Sequence, residues 1–266
     1  MKKVTTLELP RKNKIHTYFI AGDWHSFHLN KTCYESLIRH GLQLPKKERR
    51  LIINGDFTDQ WYFMKKDGQF KKWIKRSDGL DEFFVPKWDE EMEWANDILD
   101  KVQDVFHEVI FIQGNHDKQR SAFFQEICPA AYKDYFDMDK KLHFASRAIQ
   151  TIEYNNWLDI GDLSITHGMF HGTSAWKRHY DASGGRNVIF SHAHHDNKMS
   201  FISRGETKQV HSLPAMCDLN PDYIRNTDTN WTNGYGQFHV QHTGETHVHI
   251  FRMKNDVILD QYGKPV

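Results

Sequence analysis

The first half of the chain alternates short apolar runs with longer amphipathic segments. Apolar runs at 16–21, 51–54 and 107–113 predict buried strands. Between them, apolar residues recur at helical spacing in 32–43 and 88–106, which predicts two helices. The order of these elements predicts a β-α-β opening of the α/β type.

The second half of the chain predicts mostly strands. They are expected near 147–153, 157–160, 162–166 and 187–190, and alternating stretches near 199–212, 236–243, 246–253 and 256–261 predict antiparallel strands. A Phe-rich helical stretch lies at 122–137, and residues 60–87 break the pattern and are interpreted as an insertion at the sheet edge. Because the sequence has no repeat, low-complexity tract or linker, it predicts a single domain over 1–266.

Composition narrows the class of protein. The chain has 266 residues, 39 % of them hydrophobic, with 35 Lys and Arg against 35 Asp and Glu. This composition excludes a disordered chain, and the zero net charge argues against nucleic-acid binding by bulk charge.

The cysteines and the apolar runs predict a cytoplasmic protein with no membrane partner. Three cysteines without a CxxC pair argue against a disulfide scaffold or a cysteine-based zinc site, and they fit a reducing compartment. The first residues lack the apolar core of a signal peptide. No apolar run approaches the roughly 18 residues of a membrane span.

Polar side chains with metal-binding chemistry follow five of the predicted strands. They are Asp23 and His25, Asp56 in Gly55-Asp56, Asn115-His116-Asp117, His167, and His192 with His194. Any one of these short motifs is weak alone, but all five in order form a strong joint signal. Since ligands of open α/β sheets lie at strand ends, we expect these side chains to meet.

The donor set predicts a pair of transition-metal ions. Nitrogen and oxygen donors in this proportion suit Mn²⁺, Fe²⁺, Zn²⁺ or Ni²⁺, and contain too much nitrogen for Mg²⁺ or Ca²⁺. Seven ligands are too many for one ion and fit two, and one aspartate can bridge ions about 3.5–4 Å apart.

This ordered set of motifs, within 22–194, resembles the calcineurin-like metallophosphoesterase superfamily. The resemblance implies a four-layer α/β/β/α sandwich of two mixed sheets with a dinuclear metal site at the strand ends. It implies that one metal is held by Asp23, His25 and His194, the other by Asn115, His167 and His192, and that Asp56 bridges them. His116 is implied as a non-ligand acid, oriented by Asp117. Mn²⁺ is the expected metal, with Fe²⁺, Zn²⁺ and Ni²⁺ as alternatives.

Two departures from the family pattern are visible. Ser191 stands where Gly is usual, which requires only a residue that the turn tolerates. Gly55-Asp56 is followed by Phe-Thr-Asp instead of the Arg-bearing version of the protein phosphatases, which argues against a phosphoprotein phosphatase.

The resemblance implies hydrolysis of phosphate esters by a hydroxide that bridges the two metals. A phosphodiesterase or nuclease is the favoured function, and a phosphomonoesterase acting on nucleotides or small phosphorylated metabolites is the alternative. A non-catalytic scaffold is a distant alternative, because such members typically lose ligands or the acid histidine. The metallo-β-lactamase pattern is a poor match, since Asn197 stands where its last histidine belongs.

Segment 60–87 bears on the substrate. In it, basic side chains are interleaved with aromatic rings, which suits single-stranded nucleic acid or a nucleotide, and a solvated loop is the alternative; they are Lys65, Lys66, Lys71, Lys72, Lys75 and Arg76 with Trp61, Phe63, Phe70 and Trp73. Arg120 is a candidate for contacting a phosphate oxygen. The favoured alternative is an ordinary solvent-exposed arginine beside a loop. The sequence leaves the oligomeric state open.

The remaining histidines are not expected to bind metal. His211 resembles the metal motifs in residue type only and is not expected to be a ligand. His239, His242, His247 and His249 are expected to face solvent. His171 and His179 follow His167 in a predicted helix, where His171 is a candidate for lining the pocket.

Overall fold

The computed structural model describes residues 3–63, 80–203, 205–220, 229–260 and 262–266. Within them, strands β1–β12 are Val4–Thr6, Ile15–Ala21, Arg50–Asn54, Glu108–Ile112, Gln150–Ile152, Trp157–Ile160, Leu163–Thr166, Asn187–Phe190, Asn197–Ser203, Glu206–Ser212, Gly234–Gln241 and Thr246–Arg252. Helices α1–α5 are Lys31–Leu42, Val85–Val105, Ser121–Ile127, Met138–Lys141 and Ala175–Ala182.

The described strands form two mixed sheets of six. One sheet has the order β1-β6-β7-β8-β10-β9, and the other has β12-β11-β2-β3-β4-β5. Strands β2 to β5 are parallel to one another, as are β7, β8 and β10. Because parallel neighbours end at one edge, the loops that follow β2, β3 and β4 are brought together, and so are those after β7 and β8.

Three apolar clusters define four layers. One cluster contains isoleucines from both sheets, such as Ile20, Ile110 and Ile189, and therefore lies between the sheets. A second joins Phe19 and Phe111 of β2 and β4 to residues of α1 and α2, and a third joins Trp176 of α5 to β8. The predicted α/β/β/α sandwich is confirmed.

The sequence pattern was wrong at three places. The predicted strand at 256–261 has only isolated bridges, such as Lys254 with Val257. The stretch 122–137 contains the short helix α3 and then separate turns in place of one helix. Strand β1 was not predicted, because three residues are too few to show an alternating pattern.

Part of the predicted insertion lies outside the described residues. Lys65, Lys66, Lys71, Lys72, Lys75 and Arg76, together with Phe70 and Trp73, fall in 64–79. Of the rings that were interleaved with them, Trp61 is exposed and Phe63 is buried against the helix layer.

Among the described residues, no helix combines the length and the apolar character that crossing a membrane requires.

Candidate metal centre

The five predicted loops meet at one edge of the sandwich, where both sheets end. Most of the predicted ligands have left-handed backbone conformations, with φ between 48° and 67° at Asp23, His25, Asp56, His192 and His194. A non-glycine residue in this region costs about 1–3 kcal/mol, and such residues cluster at functional sites. The backbone is thus bent to direct these side chains inward.

The glycines of two motifs make room for the ligands. A Cβ on Gly114 would lie 2.1 Å from Asp56 Oδ1, and one on Gly55 would lie 2.3 Å from His167 Nδ1. Both distances are shorter than van der Waals contact, so a side chain at either glycine would displace a ligand. Ser191, which stands where glycine is usual, fits its turn, because its hydroxyl accepts a hydrogen bond from Asn54 Nδ2 at 2.8 Å.

Asp23, His25 and His194 form the first group. His25 Nε2 lies 3.2 Å from His194 Nε2, and His194 Nε2 lies 3.4 Å from Asp23 Oδ1. All three side chains are buried. Separations of 3.2–3.4 Å are short enough for these atoms to bind one cation together.

Asp56, Asn115, His167 and His192 form the second group. His167 Nε2 lies 3.3 Å from Asp56 Oδ2 and 3.2 Å from Asn115 Oδ1. Asp56, His167 and His192 each offer one ligand atom within 4.8 Å of the others. His167 Nδ1 donates to the carbonyl of Asn54 at 2.8 Å, which leaves Nε2 free to bind a cation.

His116 lies beside both groups, and its partner differs from the one the sequence predicted. Its Nδ1 lies 2.9 Å from Asp59 Oδ1, and its Nε2 lies 2.9 Å from Arg120 Nη2. His116 Nε2 is also 3.9 Å from Asp56 Oδ2, so geometry alone would allow it as a ligand.

The expectation that Asp117 orients His116 is wrong. The Asp117 carboxylate is turned away and accepts hydrogen bonds from the backbone N–H of Gly114 and Thr58, both at 2.9 Å. It also accepts from the Thr58 hydroxyl at 2.8 Å. Asp117 therefore ties the loop after β3 to the loop after β4.

Asp59 is the residue that sequence reasoning missed. The same Oδ1 that contacts His116 lies 3.1 Å from His25 Nδ1, so one buried carboxylate orients both rings. Holding Nδ1–H of His25 turns its Nε2 toward His194. The signal available in the sequence was its place on the Gly55-Asp56 loop, three residues after the bridging candidate.

Neighbouring histidines favour the ionised form of two carboxylates of the site, Asp56 and Asp59. Burial opposes the charge on Asp56, but the neighbouring His167 and His116 hold the pKa of this carboxyl well below its ordinary value. The pKa of Asp59 is also lowered, because hydrogen bonds from His116 and His25 outweigh burial. Buried negative charges of this density are stabilised by cations.

The two imidazoles of the second group have opposite shifts. Burial lowers the pKa of His167, but Asp56 more than compensates and raises it to about 9. For His192, burial and then the charge of His167 lower the pKa to about 4. The positive charge of His167 therefore balances the Asp56 carboxylate, as a bound cation would. The imidazole, amide and carboxylate groups of the two ligand groups together fit divalent metal ions.

A thiol also reaches the first group. Cys217 Sγ offers a ligand atom within 4.8 Å of those of His25 and His194. Burial, and then Asp23, raise the pKa of this thiol well above its ordinary value. The sequence has no CxxC pair and so predicts no cysteine-based site, but Cys217 lies soon after strand β10 and belongs to the same edge.

The other histidines are placed as follows. His211 is buried on β10, with Nε2 3.2 Å from Gln209 Oε1, and it belongs to none of the potential metal groups among the described residues. His242 and His247 are exposed as expected, whereas His239 and His249 are half-buried. His179 is buried in α5, and the exposed His171 precedes that helix.

A cavity of about 500 Å³ adjoins the second group. His192 lines it, together with His171, Trp176 and His195. The expectation that His171 lines a pocket is confirmed.

A sequence model of the calcineurin-like phosphoesterase family matches residues 16–228 of the chain. No curated protein sequence matches it significantly.

Solved structures to which the chain is similar include Vps29 from Entamoeba histolytica, complexed with Zn²⁺, at 11 % identity and a TM-score of 0.45, covering 91 % of this chain and 95 % of that one. Vps29 from Chaetomium thermophilum has 7 % identity and a TM-score of 0.46, covering 94 % and 92 %. Phosphopantetheinyl hydrolase from Mycobacterium tuberculosis has 11 % identity and a TM-score of 0.32, covering 75 % and 90 %.

Proposed function

Since the chain belongs to the calcineurin-like phosphoesterase family, we propose that it hydrolyses phosphate esters at a centre of two divalent metal ions. The observation that carries the proposal is the position of Asp56 between the two ligand groups. Its Oδ2 lies 3.3 Å from His167 Nε2 and 4.0 Å from His25 Nε2. A carboxylate placed in this way fits a bridge between cations about 3.5–4 Å apart.

Each cation would have its own ligands besides Asp56. Asp23, His25 and His194 would hold one, and Asn115, His167 and His192 would hold the other. When bound, the two cations would supply Lewis acidity and lower the pKa of a bound water. Mn²⁺ is the proposed metal, and Fe²⁺, Zn²⁺ and Ni²⁺ suit the same donors.

His116 is proposed to deliver the proton that the leaving oxygen needs. Its Nδ1–H is held by Asp59, which leaves Nε2 directed toward Asp56 and the ligand groups. Arg120 donates to the Asp59 carbonyl and lies 2.9 Å from His116 Nε2. Nε2 carries no proton while it accepts from Arg120. A substrate phosphate would attract the Arg120 guanidinium, and Nε2 would then take up a proton from solvent and donate it to the leaving oxygen.

A phosphodiester or nucleic acid is the proposed substrate. The leaving group of a diester is an alkoxide of high pKa, so a positioned acid contributes most there. The alternative is a phosphomonoesterase for nucleotides or small metabolites. The cavity of about 500 Å³ beside His192 favours that alternative, because its size suits one small ligand.

The proposed setting of the reaction is the cytoplasm. Its support is that Cys33, Cys128 and Cys217 are all free thiols and buried.

The test is a screen of metals against substrates. The metal-free protein is reloaded with Mn²⁺, Ni²⁺, Zn²⁺ or Mg²⁺, and each form is assayed on aryl monoesters, aryl diesters, cyclic nucleotides, and single- and double-stranded DNA and RNA. We expect hydrolysis of diesters with Mn²⁺. A preference for monoesters would establish the alternative, and a loaded protein that hydrolyses none of these esters would contradict the proposal.

Asp56→Asn tests the bridge itself. We expect loss of activity and less bound metal by elemental analysis, because the amide cannot bridge two cations. Asp162→Asn is the matched control, since Asp162 lies in the β6–β7 turn, where its carboxylate accepts a hydrogen bond from Asn187 Nδ2. Two full metal equivalents in an inactive Asp56→Asn protein would refute the bridging role.

A further inference from the structure

Cys217 is placed firmly next to the first ligand group. The Met216 N–H donates to the Gly22 carbonyl at 3.1 Å, and the Met216 carbonyl accepts from the Asn30 N–H at 2.8 Å. Asn233 Nδ2 donates to the Cys217 carbonyl at 2.6 Å. The segment is therefore fixed on both sides of Cys217 and adjoins the loop that carries Asp23 and His25.

The sulfur lies where a ligand of the first metal would lie. Its distance from the ligand atoms of His25 and His194 is no more than 4.8 Å, and all three side chains are buried. Zn–N bonds near 2.1 Å and Zn–S bonds near 2.3 Å put two ligands of one ion up to about 4.4 Å apart. One cation between these atoms can therefore contact all three with little movement.

We propose that Cys217 Sγ is a ligand of the first metal position, beside Asp23, His25 and His194. This inference rests on the proposed metal centre. The thiol binds as thiolate, so each cation bound at this position releases the Cys217 proton to solvent.

The thiolate makes the two metal positions chemically different. Sulfur is a soft donor that favours Zn²⁺ or Fe²⁺, whereas hard oxygen donors favour Mn²⁺. The second position, with Asn115, His167 and His192, has only nitrogen and oxygen donors. Cys217 therefore shifts the preference of the first position toward a softer ion than the second position favours.

Cobalt provides a readout that does not depend on activity. Metal-free protein is titrated with Co²⁺, and near-ultraviolet absorption is followed for the thiolate-to-cobalt charge-transfer band. We expect the band to saturate with the first equivalent and to be absent from Cys217→Ser. Competition experiments should show the Zn²⁺-over-Mn²⁺ preference of this variant reduced by at least about tenfold.

The other two cysteines supply the control. Cys33 is also buried, but its Sγ lies against Met216 Sδ at 3.4 Å. A Cys33→Ser/Cys128→Ser double variant keeps Cys217 as its only thiol and should retain the whole band. This variant decides the assignment even if Cys217→Ser does not fold.

The outcomes separate this inference from the proposed function. Two bound equivalents of Co²⁺ without a charge-transfer band would refute the role of Cys217 and leave the metal centre intact. A band lost from the double variant would also refute it. A wild-type protein that binds no Co²⁺ would refute both proposals.

Discussion

Replacing Glu91 tests how the loop that carries Asp59 is held. Glu91 lies on α2 and is 1 % exposed, and its carboxylate accepts hydrogen bonds from several donors of the loop after β3. It accepts from the N–H of Asp59 at 2.7 Å, from the N–H of Gln60 at 3.1 Å and from the Tyr62 hydroxyl at 2.6 Å. The Ser26 hydroxyl is a fourth donor.

The magnitude follows from these four donors. Glu91→Leu removes their common acceptor. The Asp59 N–H keeps the Ser26 hydroxyl as an acceptor at 2.9 Å, but the other three donors lose their partner, and a buried unsatisfied donor costs about 1–3 kcal/mol. Part of this cost is offset, because burial raises the pKa of Glu91 and the leucine removes that unfavourable buried charge. We expect Glu91→Leu to lower the free energy of unfolding by about 2–4 kcal/mol, and Tyr62→Phe by about 1 kcal/mol.

Urea unfolding of the metal-free protein measures the effect without the contribution of bound metal. Glu90→Gln is the control, because Glu90 is exposed and its contact with Lys87 Nζ spans 3.4 Å on the helix surface. We expect that control to lie within about 0.5 kcal/mol of wild type. A similar value for Glu91→Leu would refute the argument that these donors depend on Glu91.

Other predictions concern the acid, the pH response and the substrate. His116→Ala should keep both metals and lose about 10²–10⁴-fold on alkyl diesters, with a smaller loss on aryl phosphates that need no proton; equal losses in steady-state kinetics would contradict the acid role. Burial lowers the pKa of His40 to about 4 from 6.5, so only the unfolded chain takes up this proton as the pH falls between these values. The free energy of unfolding should fall by up to about 3 kcal/mol over that pH window, and in urea unfolding of His40→Phe it should depend less on pH. An unchanged pH dependence in this variant would exclude His40 as its cause. If the basic residues of 60–87 bind nucleic acid, the KM for an oligonucleotide should rise, less so at high salt, when alanine replaces Lys71, Lys72, Lys75 and Arg76. Unchanged kinetics on every polymer would favour a small-molecule phosphatase.

The sequence by itself determined where the metal-binding side chains are and why they meet. Asp23, Asp56 and Asn115 each follow an apolar strand, and parallel strands end at the same edge of a sheet, so their separation along the chain does not matter. The helical spacing in α1 and α2 likewise predicted both helices, because a helix that covers a sheet needs one apolar face.

Only the tertiary structure decided which side chains contact each other at that edge. Asp117 follows His116 directly but turns toward Thr58, whereas Asp59, 57 residues away along the chain, contacts the imidazole. Cys217 joins His25 for the same reason, since its segment is fixed by hydrogen bonds to Gly22 and Asn30. Local patterns report which residues leave a strand end, but the direction of each side chain depends on loop conformations set by these distant hydrogen bonds.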